Sequence, residues 1–138
     1  PGTRGTLSGV PIDTYVYGAW FDADGKTGVA VGLAGTILRS TDSGASWAPV
    51  KTAFTQDLFG VGGWGSHVVV AGEGGLLAIS TDGGLTFEPA KSPPLPVPLT
   101  DVDFGDERRA YAVGPRGLVL RSTDGGASFA LVHPGKGP

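Results

Sequence analysis

The segment 40–47 reads STDSGASW, and close copies follow as STDGGLTF at 80–87 and STDGGASF at 122–129. Their aspartates, Asp42, Asp82 and Asp124, recur roughly 40 residues apart, the interval at which propellers and solenoids repeat. The repeated eight-residue phrase therefore predicts a repeat protein with three units.

The similarity between the copies extends upstream of the phrase. VAVGLAGTILRS (29–40), VVAGEGGLLAIS (69–80) and YAVGPRGLVLRS (111–122) align without a gap. VYGAWF (16–21), LFGVGG (58–63) and LTDVDF (99–104) align if the intervening turn varies by a residue or two. The repeat units are approximately 14–50, 56–90 and 98–132, within one predicted domain that covers 1–138.

Each unit is predicted to form four short strands. The second strand, of the GVAVG type, ends at a glycine, and a two-residue turn closed by another glycine leads to the third strand. These strands are apolar on both sides, as expected of a small sheet buried between neighbouring sheets. No segment has helical periodicity. The sequence predicts an all-β fold of three four-stranded antiparallel blades.

The eight-residue phrase has the chemistry of a turn between the third and fourth strands. An aspartate side chain accepts hydrogen bonds from backbone N–H groups further along the chain, glycine supplies positive φ, and serine or threonine hydroxyls bind the remaining turn groups. The aromatic residue at the end of the phrase can pack back over the turn. The predicted structural residues are Ser40, Asp42, Gly44, Trp47, Ser80, Asp82, Gly84, Phe87, Ser122, Asp124, Gly126 and Phe129.

The pattern Ser-x-Asp-x-Gly-x-(Ser/Thr)-(Trp/Phe) resembles the Asp-box, or BNR repeat. The unit LTDVDFGDERRAYAVGPRGLVLRSTDGGASF resembles the repeat of the photosystem II stability/assembly factor-like propellers. That resemblance implies a β-propeller, seven-bladed in the family, that binds rather than catalyses and is exported to the periplasm or the extracellular space. Asp-boxes also occur in sialidases, xyloglucan-degrading hydrolases and sortilin-type receptors. Three blades are fewer than a closed ring normally needs.

Composition excludes several classes of function. The chain has 138 residues and a net charge of -3, so it has no electrostatic footprint for nucleic acid. It has no cysteine, which excludes disulfides and thiolate chemistry. No apolar run is long enough to span a bilayer. Methionine is absent even at the first position, and Pro1 indicates that the chain is processed, excised or part of a longer protein.

No cofactor or metal site is predicted. The stretch DADGKTG (22–28) begins like a calcium-binding EF-hand loop but lacks its bidentate acid, so a turn explains it better, with a weak surface Ca²⁺ site as the alternative. His67 and His133 lie in contexts typical of loops, with no partner at ligand spacing. Arg39 and Arg121 occupy the same repeat position, which favours a structural role over substrate binding.

Candidate binding residues are those that differ between the units. Asp101 and Asp103 alternate along the first strand of the third unit, where they could line a central channel as glycosidase acids do or simply be solvated. Trp20, Trp64 and Arg116 are the side chains best suited to contact a partner. Ordinary packing is the alternative role for these three, and no catalytic residue is predicted.

The sequence thus favours a non-enzymatic binding or assembly-scaffold module. Two arrangements are consistent with three blades: half of a six-bladed ring closed by self-association as a homodimer, or part of a larger propeller that supplies the missing blades. The protein partner is unknown. The alternative function is that of a carbohydrate-active Asp-box propeller, either lectin-like or a glycoside hydrolase, with a glycan as ligand.

Overall fold

A computed structural model describes residues 6–7, 10–11 and 15–135 of the chain. A short hairpin pairs β1 with β2, and three four-stranded antiparallel sheets follow, each formed from four consecutive strands. The predicted all-β architecture is confirmed, and the three sheets are consistent with propeller blades. The strands are β1 (Thr6–Leu7), β2 (Val10–Pro11), β3 (Val16–Phe21), β4 (Gly28–Gly32), β5 (Ile37–Ser40), β6 (Ala48–Pro49), β7 (Leu58–Trp64), β8 (His67–Gly72), β9 (Leu77–Ser80), β10 (Glu88–Pro89), β11 (Asp101–Phe104), β12 (Ala110–Val113), β13 (Leu118–Ser122) and β14 (Ala130–Pro134).

We call these sheet 1 (β3–β6), sheet 2 (β7–β10) and sheet 3 (β11–β14). The register places equivalent residues in rows across each sheet. In sheet 1, Trp20 lies opposite Val29, which lies opposite Arg39. The corresponding rows are Gly62, Val69 and Ile79 in sheet 2, and Asp103, Tyr111 and Arg121 in sheet 3.

The fourth strands of sheets 1 and 2 are much shorter than that of sheet 3. Each has only two residues and ends at a proline, Pro49 or Pro89. Proline has no N–H to donate to a ladder, so it shortens the pairing. Sheet 3 has Leu131 at the equivalent position, and β14 there continues to Pro134.

The turns between second and third strands are close to the two-residue links that the sequence predicts. Each is a four-residue turn, over 33–36, 73–76 or 115–118, in which the last N–H donates to the first carbonyl, as Thr36 does to Leu33 at 3.1 Å. The second and third residues of each turn have positive φ, for example 54° at Ala34 and 77° at Gly35. Ala34 and Arg116 therefore hold a conformation that costs a non-glycine residue about 1 kcal/mol.

Sheet 2 is buried on both faces, which explains its apolar strands. On one face, Val68, Val70 and Ala78 pack with a cluster from sheet 1. On the other, residues such as Val69 and Ile79 pack with a cluster from sheet 3. Alternate residues of one strand thus face different neighbours, as predicted for a sheet between two others.

The first strands of neighbouring sheets lie side by side and approach one another closely. A Cβ atom added at Gly62 of β7 would lie 2.7 Å from the Val102 carbonyl oxygen of β11, and one at Gly60 would lie 2.7 Å from the Asp101 Cα atom. Gly18 of β3 approaches the Phe59 carbonyl in the same way, at 3.0 Å. Glycine is needed here because backbone, which cannot move away, occupies the space of a side chain.

We expect Gly62→Ala to lower the free energy of unfolding by about 1–3 kcal/mol, because the new methyl group overlaps backbone of the neighbouring strand. Gly105→Ala is the matched control, since its Cβ would meet nothing closer than a Tyr111 ring atom at 3.9 Å. Urea denaturation of both variants measures the difference. Equal stabilities would show that the first strands can separate at no cost.

Candidate functional site

The three eight-residue segments, here called the aspartate turns, connect the third and fourth strands of their sheets. In the turn of sheet 2, the buried Ser80 hydroxyl donates to Asp82 Oδ1 at 2.6 Å and accepts the Gly84 N–H at 2.9 Å. Asp82 in turn accepts the Thr86 N–H at 3.0 Å and the Thr86 hydroxyl at 2.6 Å. The same bonds recur around Asp42 and Asp124.

These donors stabilise the ionised aspartates. The hydroxyls of Ser80 and Thr86 and the Thr86 N–H lower the pKa of Asp82 to about 2. Partial burial acts to raise the pKa of Asp124, but donors from Ser128 and Ser122 outweigh it and the pKa falls to about 2. Ser46 and Ser40 lower the pKa of Asp42 in the same way. Carboxylates bound so fully by their own turn are suited to structure rather than to proton transfer.

The aromatic residue that ends each turn is buried to a different extent. Phe129 is only 5% exposed, whereas Trp47 and Phe87 are half-buried. The Trp47 indole N–H donates to the Gly44 carbonyl at 3.1 Å, and its ring meets Phe21 edge-on at 5.7 Å between centroids. The ring therefore covers its own turn, and it precedes rather than begins the fourth strand.

The peptide after each turn aspartate links the turn to its own sheet. Its N–H donates to a carbonyl of the hairpin between first and second strands: Gly83 to Ser66 and Gly125 to Arg108, both at 2.8 Å. Ser43 donates to Lys26 at 3.0 Å in sheet 1. All three residues have positive φ, although Ser43 is not a glycine.

The carbonyl of that same residue accepts a hydrogen bond from the preceding sheet. Arg39 Nε of sheet 1 donates to the Gly83 carbonyl of sheet 2 at 2.9 Å. His67 Nδ1 of sheet 2 lies 3.0 Å from the Gly125 carbonyl of sheet 3, a contact that requires the proton on Nδ1. The loop placement expected for His67 is wrong, because it begins β8. Sequence alone could not pair either donor with a turn one unit away.

A pocket of 530 Å³ opens where the first strands end. Three predicted binding residues, Trp20, Trp64 and Asp103, line it together. Asp22, the first residue of the stretch 22–28 for which sequence analysis favours a turn, lines the pocket as well. We call this site the tryptophan pocket; its lining is Trp20, Asp22, Ala23, Gly63, Trp64, Gly65, Asp103 and Phe104.

The other two predicted binding residues lie elsewhere. Arg116 borders an apolar groove of 460 Å³ beside Leu95 and Pro134, at the turn between the second and third strands of sheet 3. Asp101 begins β11, and its carboxylate accepts the N–H of Val102 at 2.9 Å. The five candidates therefore do not form one site.

The stretch 22–28 forms a compact turn. Asp24 Oδ1 accepts the N–H groups of Lys26 at 2.8 Å and Thr27 at 3.4 Å, and the bond from Lys26 is the main cause of its lowered pKa. Across residues 15–135, no group of three or more histidine and acidic side chains is arranged to hold a metal ion. In the described part of the chain, no helix has the length and apolar character needed to cross a membrane.

The fold is similar to those of several solved propellers. A structure of YCF48 bound to D1 peptide superposes with a TM-score of 0.76 at 20% identity, covering 94% of this chain and 42% of that one. YCF48 from Cyanidioschyzon merolae gives 0.75 at 22% identity over 94% and 43% of the two chains. The GH74 xyloglucanase from Xanthomonas campestris gives 0.66 at 21% identity over 91% and 19%.

This chain therefore spans less than half the length of each of these structures. At such low identities the likeness shows the fold alone. No protein-family model matched the sequence, and no curated protein did so either.

The lowered aspartate pKa values predict a loss of stability in acid. Because the folded-state pKa of Asp82 is about 2 against an ordinary value of 3.8, its contribution is present above pH 3.8 and lost as pH falls towards 2. We expect the melting temperature to be nearly constant from about pH 7 to 5 and to drop below about pH 4. Asp82→Asn should reduce that drop, and Glu88→Gln controls for the lost charge. An unchanged pH profile in Asp82→Asn would contradict the assignment.

Ser43→Gly should stabilise the protein by about 1 kcal/mol, since Ser43 holds a φ of 63° where the other turns have glycine. Gly83→Ser makes the reverse exchange at the equivalent position and should destabilise by a similar amount. Thermal melting of the pair tests the equivalence of the turns. A destabilised Ser43→Gly variant would mean that the serine side chain stabilises its turn by more than the conformation costs.

Proposed function

We propose that this chain is a segment of an Asp-box β-propeller that completes its ring with a second copy of itself and acts as a non-enzymatic binding scaffold. The observation that carries the proposal is the way in which the aspartate turns of sheets 2 and 3 dock onto the preceding sheet. This contact occurs between sheets 1 and 2 and again between sheets 2 and 3. Sheet 3 presents the surface that would receive a further turn, around Tyr111 and Arg121, on its outer face.

In sheets 2 and 3, the glycine two residues after the turn aspartate packs directly against the preceding sheet. A Cβ at Gly84 would lie 2.8 Å from Val29 Cγ2 and 3.6 Å from Arg39 Cδ of sheet 1. A Cβ at Gly126 would lie 2.5 Å from Val69 Cγ2 of sheet 2. Both glycines are buried, so the sheets contact each other at the aspartate turn as well as through the apolar core.

Sheets 3 and 1 carry the complementary halves of such an interface. On the outer face of sheet 3, Tyr111 and Arg121 occupy the positions that Val29 and Arg39 hold in sheet 1; Tyr111 is half-buried and Arg121 is exposed. In the turn of sheet 1, Gly44 is only half-buried, unlike Gly84 and Gly126.

A second copy can join these halves in register. Its first aspartate turn would lie on sheet 3 of the first copy, and Arg121 would donate to the Ser43 carbonyl as Arg39 donates to that of Gly83. Two copies related by a two-fold axis would then form two equivalent interfaces and a ring of six sheets. The alternative is that further blades of a longer protein fill the gap. The greater length of the YCF48 structures supports that arrangement equally.

A binding role is consistent with the chemistry of the turns. Their aspartates are held by their own hydroxyl and N–H donors and repeat in every sheet, so they do not converge on one substrate. One similar propeller, YCF48, has been solved with a bound D1 peptide, which supports a polypeptide as the class of ligand.

The carbohydrate-active alternative is supported by the similarity to GH74 propellers. Asp101 and Asp103 are both exposed on one face of β11, where a pair of acids could act on a glycan. Assay against xyloglucan and a panel of glycosides separates the alternatives. If the wild-type chain hydrolyses one of these substrates and Asp101→Asn or Asp103→Asn abolishes the activity, the chain is a glycoside hydrolase and the scaffold proposal is wrong.

Light scattering of the isolated chain tests self-completion. We expect a particle near twice 13.9 kDa, and we expect Tyr111→Glu to give a folded monomer because it places a charge within the proposed interface. Arg121→Ala should shift the equilibrium towards monomer, whereas Arg109→Ala, which only removes an exposed ion pair with Asp106, should not. A wild-type chain that stays a folded monomer at every concentration excludes the homodimer.

A further inference from the structure

We propose that the tryptophan pocket is a receptor for a positively charged side chain, arginine or lysine, of an extended polypeptide. The inference deepens the binding role proposed above by naming the class of ligand. The pocket lies within one chain, so the inference does not depend on whether the ring is completed by a second copy.

Trp20 provides a fixed aromatic wall between sheets 1 and 2. It is half-buried and packs on the apolar cluster that joins these sheets. Its ring lies against the backbone of Gly63, where an added Cβ would be only 2.7 Å from Trp20 Cζ2. Glycine at position 63 thus leaves room for the indole, which is held in place by contacts from both sheets.

Trp64 forms a second, more accessible wall. It is the last residue of β7, directly after Gly63, and it is 49% exposed. An indole held at the rim of a cavity without being covered is available to a ligand, and tryptophan is the side chain whose face attracts cations most strongly.

Two acidic side chains complete the site. Asp103 comes from β11 of sheet 3 and is exposed, while Asp22 follows β3 of sheet 1 and is half-buried, with Oδ1 accepting the Ala23 N–H at 2.8 Å. No lysine, arginine or histidine contributes to the lining. Each of the three sheets therefore supplies part of a pocket that carries negative charge and aromatic faces.

The balance of donors and acceptors selects the ligand. The carboxylates of Asp22 and Asp103 offer only acceptors, and the indole N–H groups are the only side-chain donors in the lining. A guanidinium or ammonium group is donor-only and positively charged, so it matches the two carboxylates in both hydrogen bonding and charge, whereas a sugar hydroxyl is uncharged. The net charge of -3 also favours the approach of a cation.

The size of the cavity fits a side chain together with its flanking backbone. At 530 Å³ it lies within the range of small-ligand pockets, roughly 300–1,000 Å³. The alkyl part of arginine or lysine can lie along the indole faces while its charged end reaches the carboxylates. An extended segment is the form in which a polypeptide can present one long side chain into such a recess.

Titration with blocked peptides tests the proposal. The probe is acetyl-Gly-Gly-Arg-Gly-Gly-amide, with the lysine peptide as the second ligand and the glutamine peptide as the uncharged control. Indole N–H signals in two-dimensional NMR spectra report binding at each tryptophan, after assignment by Trp→Phe variants. We expect the arginine and lysine peptides to shift the Trp20 and Trp64 signals. The Trp47 signal, from an indole hydrogen-bonded within its own turn, should not move.

Variants then assign the interaction to charge and aromatic face. Asp103→Asn keeps the shape of the side chain, and we expect it to lower the affinity for the arginine peptide by about two- to tenfold. Glu88→Gln is the control for the loss of a charge elsewhere. Trp64→Ala should lower the affinity for the arginine peptide by about two- to thirtyfold. Added salt should weaken binding further, because the carboxylates are accessible to solvent.

Three outcomes overturn the proposal: equal binding of the glutamine peptide, undiminished affinity in Asp103→Asn, or no movement of the Trp20 and Trp64 signals. Movement of these signals by a xyloglucan oligosaccharide but not by the cationic peptides would make the pocket a glycan site. Failure of the peptides to bind, with the chain still dimeric by light scattering, would reject the cationic ligand while leaving the ring-forming scaffold intact.

Discussion

The residue that follows the turn aspartate fixes both the turn and, in sheets 2 and 3, the packing against the preceding sheet. Its N–H bonds to the first hairpin of its own sheet, and in sheets 2 and 3 its carbonyl accepts a donor from the sheet before. This residue has positive φ in all three turns, and the aspartate and serine bond within the same turn. A local turn thereby becomes the contact that sets how one sheet meets another.

Much of this fold could be predicted from sequence because its determinants are local and repeated. Positions such as Ser80, Asp82 and Gly84 bond within five residues of one another, so their spacing carries the structure. The partners of His67 and Arg39 could not be predicted, since they lie 58 and 44 residues away and differ in chemical type between the two interfaces. The short fourth strands could have been expected from Pro49 and Pro89.

The candidate site was predictable only in part. Trp20, Trp64 and Asp103 break the repeat or are aromatic, which predicts a binding role, and they do share a pocket. The same reasoning predicts a binding role for Arg116, which lies beside a different groove. The difference is one of position along the strand: residues near the ends of β3, β7 and β11 converge, while residues at the opposite turns do not. Periodicity identifies equivalent positions but does not say which of them meet.

The convergence of the first strands also explains why the pocket is asymmetric. In the equivalent row, Trp20, Gly62 and Asp103 occupy the same position in their sheets, yet only glycine fits at 62, where the Val102 carbonyl is too close for a side chain. An indole and a carboxylate can therefore occupy the flanking sheets without a third large side chain between them. Gly63 likewise leaves room for the Trp20 ring, which a Cβ atom at this position would overlap. Close backbone approach, which the sheets need in order to pack, thus creates the recess that the side chains of Trp20 and Asp103 share.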